Sequence, residues 1–153
     1  MTVELRKWRP DDAEWYIGAR DETIFEWTTE PRVLDPQALR QVIESNNRDP
    51  QWVACAITDA STGALLGNIA LTLTEDVGEV MYWVAAESRG RGVATDAVQT
   101  LVRWAFHALP IQRIDLLMKR GNEASAGVAR NAGFEPRGDR DGRLVFVRTR
   151  TLN

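Results

Sequence analysis

The hydrophobic positions of this chain change period several times, and each change marks an element. Val3, Leu5 and Lys7 alternate with Glu4 and Arg6, which predicts a short first strand ending at Pro10. Asp11 followed by Glu14 resembles a capping box, with Ala13, Trp15 and Ile17 near one face of a helix running to about Arg20. A second helix opens at Asp35 as N-cap, with Pro36 in its first turn and Leu39, Val42 and Ile43 as its apolar stripe. Between them, Thr23 to Val33 reads as a loop or short helix whose Phe25, Trp27 and Pro31 suit a cover over the core or a pocket lid.

From Trp52 the period shortens. Trp52 to Thr58 and Ala64 to Leu73 are apolar or β-branched runs on either side of Asp59-Ala-Ser-Thr-Gly63, a hairpin signal. Glu79 to Ala85 forms the next strand, reached through the turn residues Glu75, Asp76 and Gly78. Ala94, Ala97, Val98, Leu101, Ala105 and Ala108 recur at helical spacing from about Gly92 to Ala108. Ile111 to Met118 is a strand, Asn122 caps a helix stopping at Gly133, and two last strands meet at Asp141-Gly142. The order β-α-α-β-β-β-α-β-α-β-β predicts a mixed α/β fold with parallel pairing in its helix-linked second half.

Composition narrows the class. With 153 residues, 44% hydrophobic and 27% charged, and without repeats or linkers, residues 1–153 read as one domain. A chain of this length buries roughly 68–70% of its unfolded surface. Six Trp, four Phe and two Tyr then make a stabilising disulfide or metal unnecessary. The single cysteine, Cys55, excludes a disulfide framework and reads as a small core thiol. No metal-ligand cluster is expected, and the lone His107 sits near a helix end where it favours the dipole. The opening MTVELRKW is charged where a signal peptide is apolar, and no window approaches a membrane span. A cytoplasmic protein without a membrane partner is therefore expected.

The net charge of −3 argues against bulk electrostatic binding of nucleic acid. Its distribution is uneven: residues 1–76 hold 14 acids against 7 bases, and residues 77–153 hold 8 acids against 12 bases. Two differently charged ligands, or chance variation of solvated surface, both account for this.

The segment Val84 to Thr95, VAAESRGRGVAT, places Gly90 and Gly92 between a strand and a helix start. Glycines there let successive N–H groups converge, and a helix N-terminus adds dipole and unpaired donors, so the turn suits a phosphate or pyrophosphate. Arg89 and Arg91 add charge. It matches neither the Rossmann nor the P-loop fingerprint. A plain structural turn is the alternative.

Arg89-x-x-Gly92-x-Ala94 resembles the Arg/Gln-x-x-Gly-x-Gly/Ala motif of the GCN5-related N-acetyltransferase (GNAT) superfamily. LRKWRPDDAEW (Leu5 to Trp15), MYWV (Met81 to Val84), RGRGVATDAV (Arg89 to Val98), and Asn122-x-x-Ser125 followed by Gly133-Phe134-Glu135 resemble its RimJ/RimL-type branch, in that order over nearly the whole chain. The resemblance implies a GNAT fold: a mixed, mostly antiparallel sheet with helices on both faces and splayed fourth and fifth strands, between which the pantetheine arm of acetyl-CoA lies. It assigns the pantetheine to the backbone of Trp83 and Val84 and to Asn122, and the pyrophosphate to the N–H groups of Arg89, Gly90, Arg91, Gly92, Val93, Ala94 and Thr95. Asn122 also reads as a simple N-cap.

The implied activity is acetyl transfer from acetyl-CoA, as cosubstrate, to a primary amine by direct attack. Such a reaction needs a deprotonated amine, a donor for the developing oxyanion and a proton for the departing thiolate. Relatives often carry a tyrosine near the helix after the fifth strand, but Tyr16 and Tyr82 both lie elsewhere in the sequence. Ser125 is the expected substitute acid, with a structural first-turn serine as the alternative. Glu79 is a candidate base, with Glu26 and Glu30 as others. Glu26 and Trp27 are expected beside the acceptor, and the acidic first half favours a cationic amine: a protein N-terminus, an aminoglycoside-like compound, a polyamine or an amino acid. The chain is expected to act as a monomer or homodimer. The missing tyrosine supports a second reading, a non-catalytic acyl-CoA-binding sensor or interaction module of the same fold.

Overall fold

A computed structural model describes residues 2–151. One seven-stranded sheet runs through it in the order β1-β2-β3-β4-β5-β7-β6. The strands are β1 (Val3–Lys7), β2 (Trp52–Asp59), β3 (Leu65–Thr74), β4 (Val77–Val84), β5 (Arg113–Lys119), β6 (Glu135–Arg140) and β7 (Arg143–Thr149). The helices are α1 (Ala13–Ala19), α2 (Glu22–Trp27), α3 (Pro36–Arg48), α4 (Val93–Ala108) and α5 (Glu123–Asn131). Among the described residues only β4 and β5 pair in parallel; their connection, α4, is the crossover that parallel neighbours require.

Turn chemistry explains the meander. Asp59 accepts the Ser61 N–H at 2.8 Å on its carboxylate and the Gly63 N–H at 2.7 Å on its carbonyl, closing the β2–β3 hairpin. Asp141 and Gly142 both have positive φ, 53° and 83°, as a tight two-residue hairpin needs. The β3–β4 turn differs from expectation: it is Glu75-Asp76 alone, and Gly78 lies inside β4. A Cβ there would stand 2.8 Å from a Leu71 methyl, so its role is to leave room for core packing.

The two faces bury separate cores. One holds Val93, Ala97, Val98, Leu101 and Val102 of α4 and Ala126 and Ala129 of α5 against Ile69, Leu71, Val80, Ile114, Leu116 and Phe146. The other gathers Trp8, Ala13, Leu39, Ile43 and Ala56, with Trp15, Tyr16 and Ile17 of α1 packed on it. Val42, expected in the α3 stripe, is 49% exposed; Leu39 and Ile43, four residues apart, suffice to seat that short contact. The first helix begins after a 3-10 turn, Pro10–Asp12. Asp12, rather than Asp11, organises that start: it accepts the Arg9 N–H at 2.8 Å and pairs with Arg6 at 2.8 Å. Among the described residues, no helix is long and apolar enough to cross a membrane.

Candidate active site

The site begins where the sheet opens. β4 and β5 pair only from Val77 with Arg113 to Val80 with Leu116. Beyond that point β4 stays paired with β3 to Val84, and β5 stays paired with β7 to Lys119, so Met81 to Val84 face a gap. A cleft of about 570 Å³ occupies this gap; it is lined by both parting strands, the start of α4, the start of α5, and Thr23, Ile24, Trp27, Thr28 and Thr29 of the α2 segment.

The α4 N-terminus borders the cleft with a run of open donors. Gly90 and Gly92 both have φ +77°, a left-handed backbone that glycine adopts without steric penalty. Asp96 makes the first helical bond, to the Gly92 carbonyl at 3.0 Å. The N–H groups of Gly90, Arg91, Gly92, Val93, Ala94 and Thr95 have no hydrogen-bond partner among the described residues. A Cβ at Gly90 or Gly92 would meet nothing within 4 Å, so the space before them is open. Open amides in succession, a helix dipole and an unfilled concavity together make a setting that suits an anion.

Arg89 departs from the expected arrangement. Its N–H is bonded to the Ala86 carbonyl at 3.3 Å, so the open run starts one residue later, at Gly90. Its guanidinium donates to the Val84 carbonyl at 3.1 Å and, with both terminal nitrogens, to Asp21 at 2.9 Å. Arg91 is exposed and its side chain lies outside the cleft lining. Asn122 caps α5, its Oδ1 accepting the Ser125 N–H at 3.1 Å, while the residue also lines the cleft. Trp83 and Val84 stand on the part of β4 that pairs with β3 but no longer with β5.

Sequence reasoning missed the partner of Ser125. The Tyr82 hydroxyl lies 2.9 Å from Ser125 Oγ, and both residues line the cleft. Burial pushes the Tyr82 phenol above its ordinary range, with the Ser125 hydrogen bond opposing in part. Tyr82 reaches Ser125 from β4, across a 43-residue separation. Alternation along MYWV was the available signal: Trp83 stacks on Trp15 of the α1 face, so Tyr82 must point to the α4–α5 side.

The acids separate. Glu79 lines the cleft at its closed base, where its backbone still pairs with Asp115. Glu26 does not line it: its side chain is exposed and its carbonyl accepts from Lys119 Nζ at 2.5 Å. Glu30 lies outside it and is half-buried, accepting from the Tyr16 hydroxyl at 3.0 Å and from Arg20 at 3.4 Å; burial raises its pKa, with both hydrogen-bond partners opposing. Trp27 lines the cleft. The acidic first half does not produce an anionic wall, because Asp21, Glu22 and Glu30 pair with Arg89, Arg32 and Arg20. Threonines and Trp27 form that side instead.

The acetyltransferase (GNAT) domain family profile matches residues 2–135. The chain belongs to this family. It is 37% identical over 87 residues to "Putative ribosomal N-acetyltransferase YdaF" of Bacillus subtilis (strain 168), covering 54% of this chain and 48% of that protein, about half its length. It is 27% identical over 153 residues to "Probable N-acetyltransferase YjcK" of the same organism, covering 90% and 82%. Its fold is shared with a spermidine N-acetyltransferase from Vibrio cholerae solved with CoA and spermine (TM-score 0.83, 16% identity, 97% and 96% covered). The GNAT fold expected from the motifs is the fold observed, down to the parting of β4 and β5. Among the described residues, no group of His, Cys, Asp or Glu is placed to hold a metal ion.

Proposed function

We propose that this protein transfers an acetyl group from acetyl-CoA to a primary amine. One observation carries the reading: six consecutive unbonded N–H groups, Gly90 to Thr95, open on a cleft between strands that have parted. That pairing of an anion cradle with an exposed strand edge fits a long ligand bearing a diphosphate at one end and an amide-rich arm at the other. CoA has this form, and its acetyl thioester supplies the activated acyl group.

In this reading Gly90, Gly92, Val93, Ala94 and Thr95, with the N–H of Arg91, hold the pyrophosphate. Trp83 and Val84 offer backbone to the pantetheine arm from the β4 side, and Asn122 from the α5 side. Tyr82 and Ser125 form the proton-donating unit for the departing thiolate: the phenol remains protonated at neutral pH because burial disfavours its anion. Glu79 is the base candidate that borders the cleft, and Trp27 with Thr28 and Thr29 forms the acceptor wall. The neutral wall favours selection of the acceptor by shape over attraction of a high positive charge. Placement in the cytoplasm follows from this chemistry, since acetyl-CoA is a metabolite of that compartment.

The sensor reading drew its support from a missing tyrosine, and Tyr82 removes that support. The test is free-thiol release from acetyl-CoA with an amine panel that includes spermidine and a peptide with a free α-amine. Release is expected with at least one amine, and Tyr82→Phe should slow it by about 10²-fold with CoA affinity nearly unchanged. CoA binding without release by any amine would favour the sensor over the enzyme; no CoA binding would refute both.

A further inference from the structure

The family's motif arginine is engaged away from the anion cradle. Arg89 Nε donates to the Val84 carbonyl at 3.1 Å, and Nη1 and Nη2 donate to the two carboxylate oxygens of Asp21, each at 2.9 Å. Three directed bonds from a planar fork fix both its position and its plane. Asp21 is in turn the N-cap of α2, its Oδ1 accepting the Ile24 N–H at 3.1 Å. At the other end of α2, Lys119 Nζ donates to the Glu26 carbonyl.

α2 is therefore tied at its first turn to the end of β4 and at its last turn to the end of β5. Those are the two strands that part. The helix contributes Thr23, Ile24 and Trp27 to the cleft wall, so it forms a strap over the opening. We infer that Arg89 and Asp21 are a positioning pair that holds the acceptor-side strap to the anion-cradling turn, and that Arg89 does not serve as a phosphate ligand. This rests on the assignment of the cleft to acetyl-CoA and an amine. The charges agree with it: Arg89's hydrogen bonds hold the Asp21 carboxyl below its ordinary range, so the pair is ionised and adds no net charge beside the cradle. A positively charged Arg89 free to reach a pyrophosphate would have to abandon Asp21 and Val84 together.

The two roles predict opposite behaviour for one substitution. Asn caps helices as well as Asp does, so Asp21→Asn keeps the α2 cap and removes the bidentate charged acceptor. As a brace, Asp21→Asn and Arg89→Gln share one phenotype. As a phosphate ligand, Arg89→Gln loses CoA while Asp21→Asn, which releases the arginine, keeps or improves it.

The experiment uses the full chain with Arg89→Gln, Asp21→Asn, the double variant and Arg89→Lys. It reads CoA affinity by calorimetry and amide hydrogen exchange over residues 22–28 without ligand. For a partly exposed pair, exchange in α2 should quicken by about five-fold in each single variant. The double variant should be no faster than either single. Arg89→Lys should fail to restore protection because an ammonium has no fork. CoA affinity should stay within about two-fold, and where turnover is measurable the acceptor KM should rise with kcat held. Unchanged α2 exchange in the single variants, or a ten-fold loss of CoA affinity confined to Arg89→Gln, overturns the inference. Failure of the unsubstituted chain to bind CoA would defeat the acetyltransferase reading instead, and α2 exchange would still decide whether the brace exists.

Discussion

Gly67→Ala tests whether the β3–β4 contact holds the cleft wall in place. A Cβ at Gly67 would lie 2.3 Å from the Trp83 carbonyl oxygen and 3.0 Å from the Val84 Cα. Ordinary carbon–oxygen contacts fall near ~3.3 Å or beyond, so the strands must separate by roughly 1 Å. Neither neighbour is a flexible side chain: both are backbone in a ladder where Gly67 sits opposite Val84. Overpacking typically costs ~1–3 kcal/mol, and rigid partners place this site near ~3 kcal/mol. At ~2–4 °C per kcal/mol for a chain of this size, the melting temperature should fall by about 6–12 °C. The displaced atoms belong to Trp83 and Val84, so CoA affinity measured well below the transition should fall as well. Calorimetric melting and CoA titration read the two effects separately. A companion variant guards against a general intolerance of added methyls. Gly18 lies within α1 with nothing within 4 Å of an added Cβ, so Gly18→Ala should stabilise by about 0.5–1 kcal/mol. A Gly67→Ala protein that melts within about 2 °C of the parent would show that β4 is free to shift, and would refute the reasoning.

Three further outcomes follow from the same geometry. Gly92→Glu should abolish CoA binding, because it sets a carboxylate at the cradle and costs about 1–2 kcal/mol for a side chain at φ +77°. Gly138→Ala, at φ +82° in β6 with equally open surroundings, carries a similar backbone cost and should leave CoA affinity unchanged in titrations run side by side. Asp12 governs the acid limb of stability: burial pushes its carboxyl up, but Arg6 and the Arg9 N–H outweigh it and hold it below the usual range. A depressed folded pKa contributes stability above the unfolded value that is lost as pH falls through the folded one. Asp12→Asn should therefore flatten the fall in melting temperature on acidification below the usual carboxylate range. An unchanged acid limb would show that Arg6 and Asp12 do not stay paired in solution.

Much of the fold was legible because its causes are local. Alternation marked β1, the Asp141-Gly142 pair marked the last hairpin, Asp35-Pro36 marked the start of α3, and two glycines ahead of an apolar stripe marked the turn whose amides stay open before α4. These signals concern neighbouring residues, whose spacing a chain carries with it whether or not it is folded. Gly78 was misread for the same reason: a glycine beside a turn signals a turn locally, and only Leu71 on the adjacent strand shows why the position is empty.

The site depended on tertiary structure wherever its residues meet across the sheet. Tyr82 and Ser125 touch because β4 and α5 converge on one side of the parting strands. Arg89 finds Asp21 across 68 residues, and that contact changes its role from added charge to brace. The acids of the first half are paired with arginines that composition could not match to them. Local spacing thus determined the elements and the open amides of the cradle. The register between distant elements decided which charges remain available, which tyrosine faces the cleft, and where β4 leaves β5, because none of these is a property of adjacent residues.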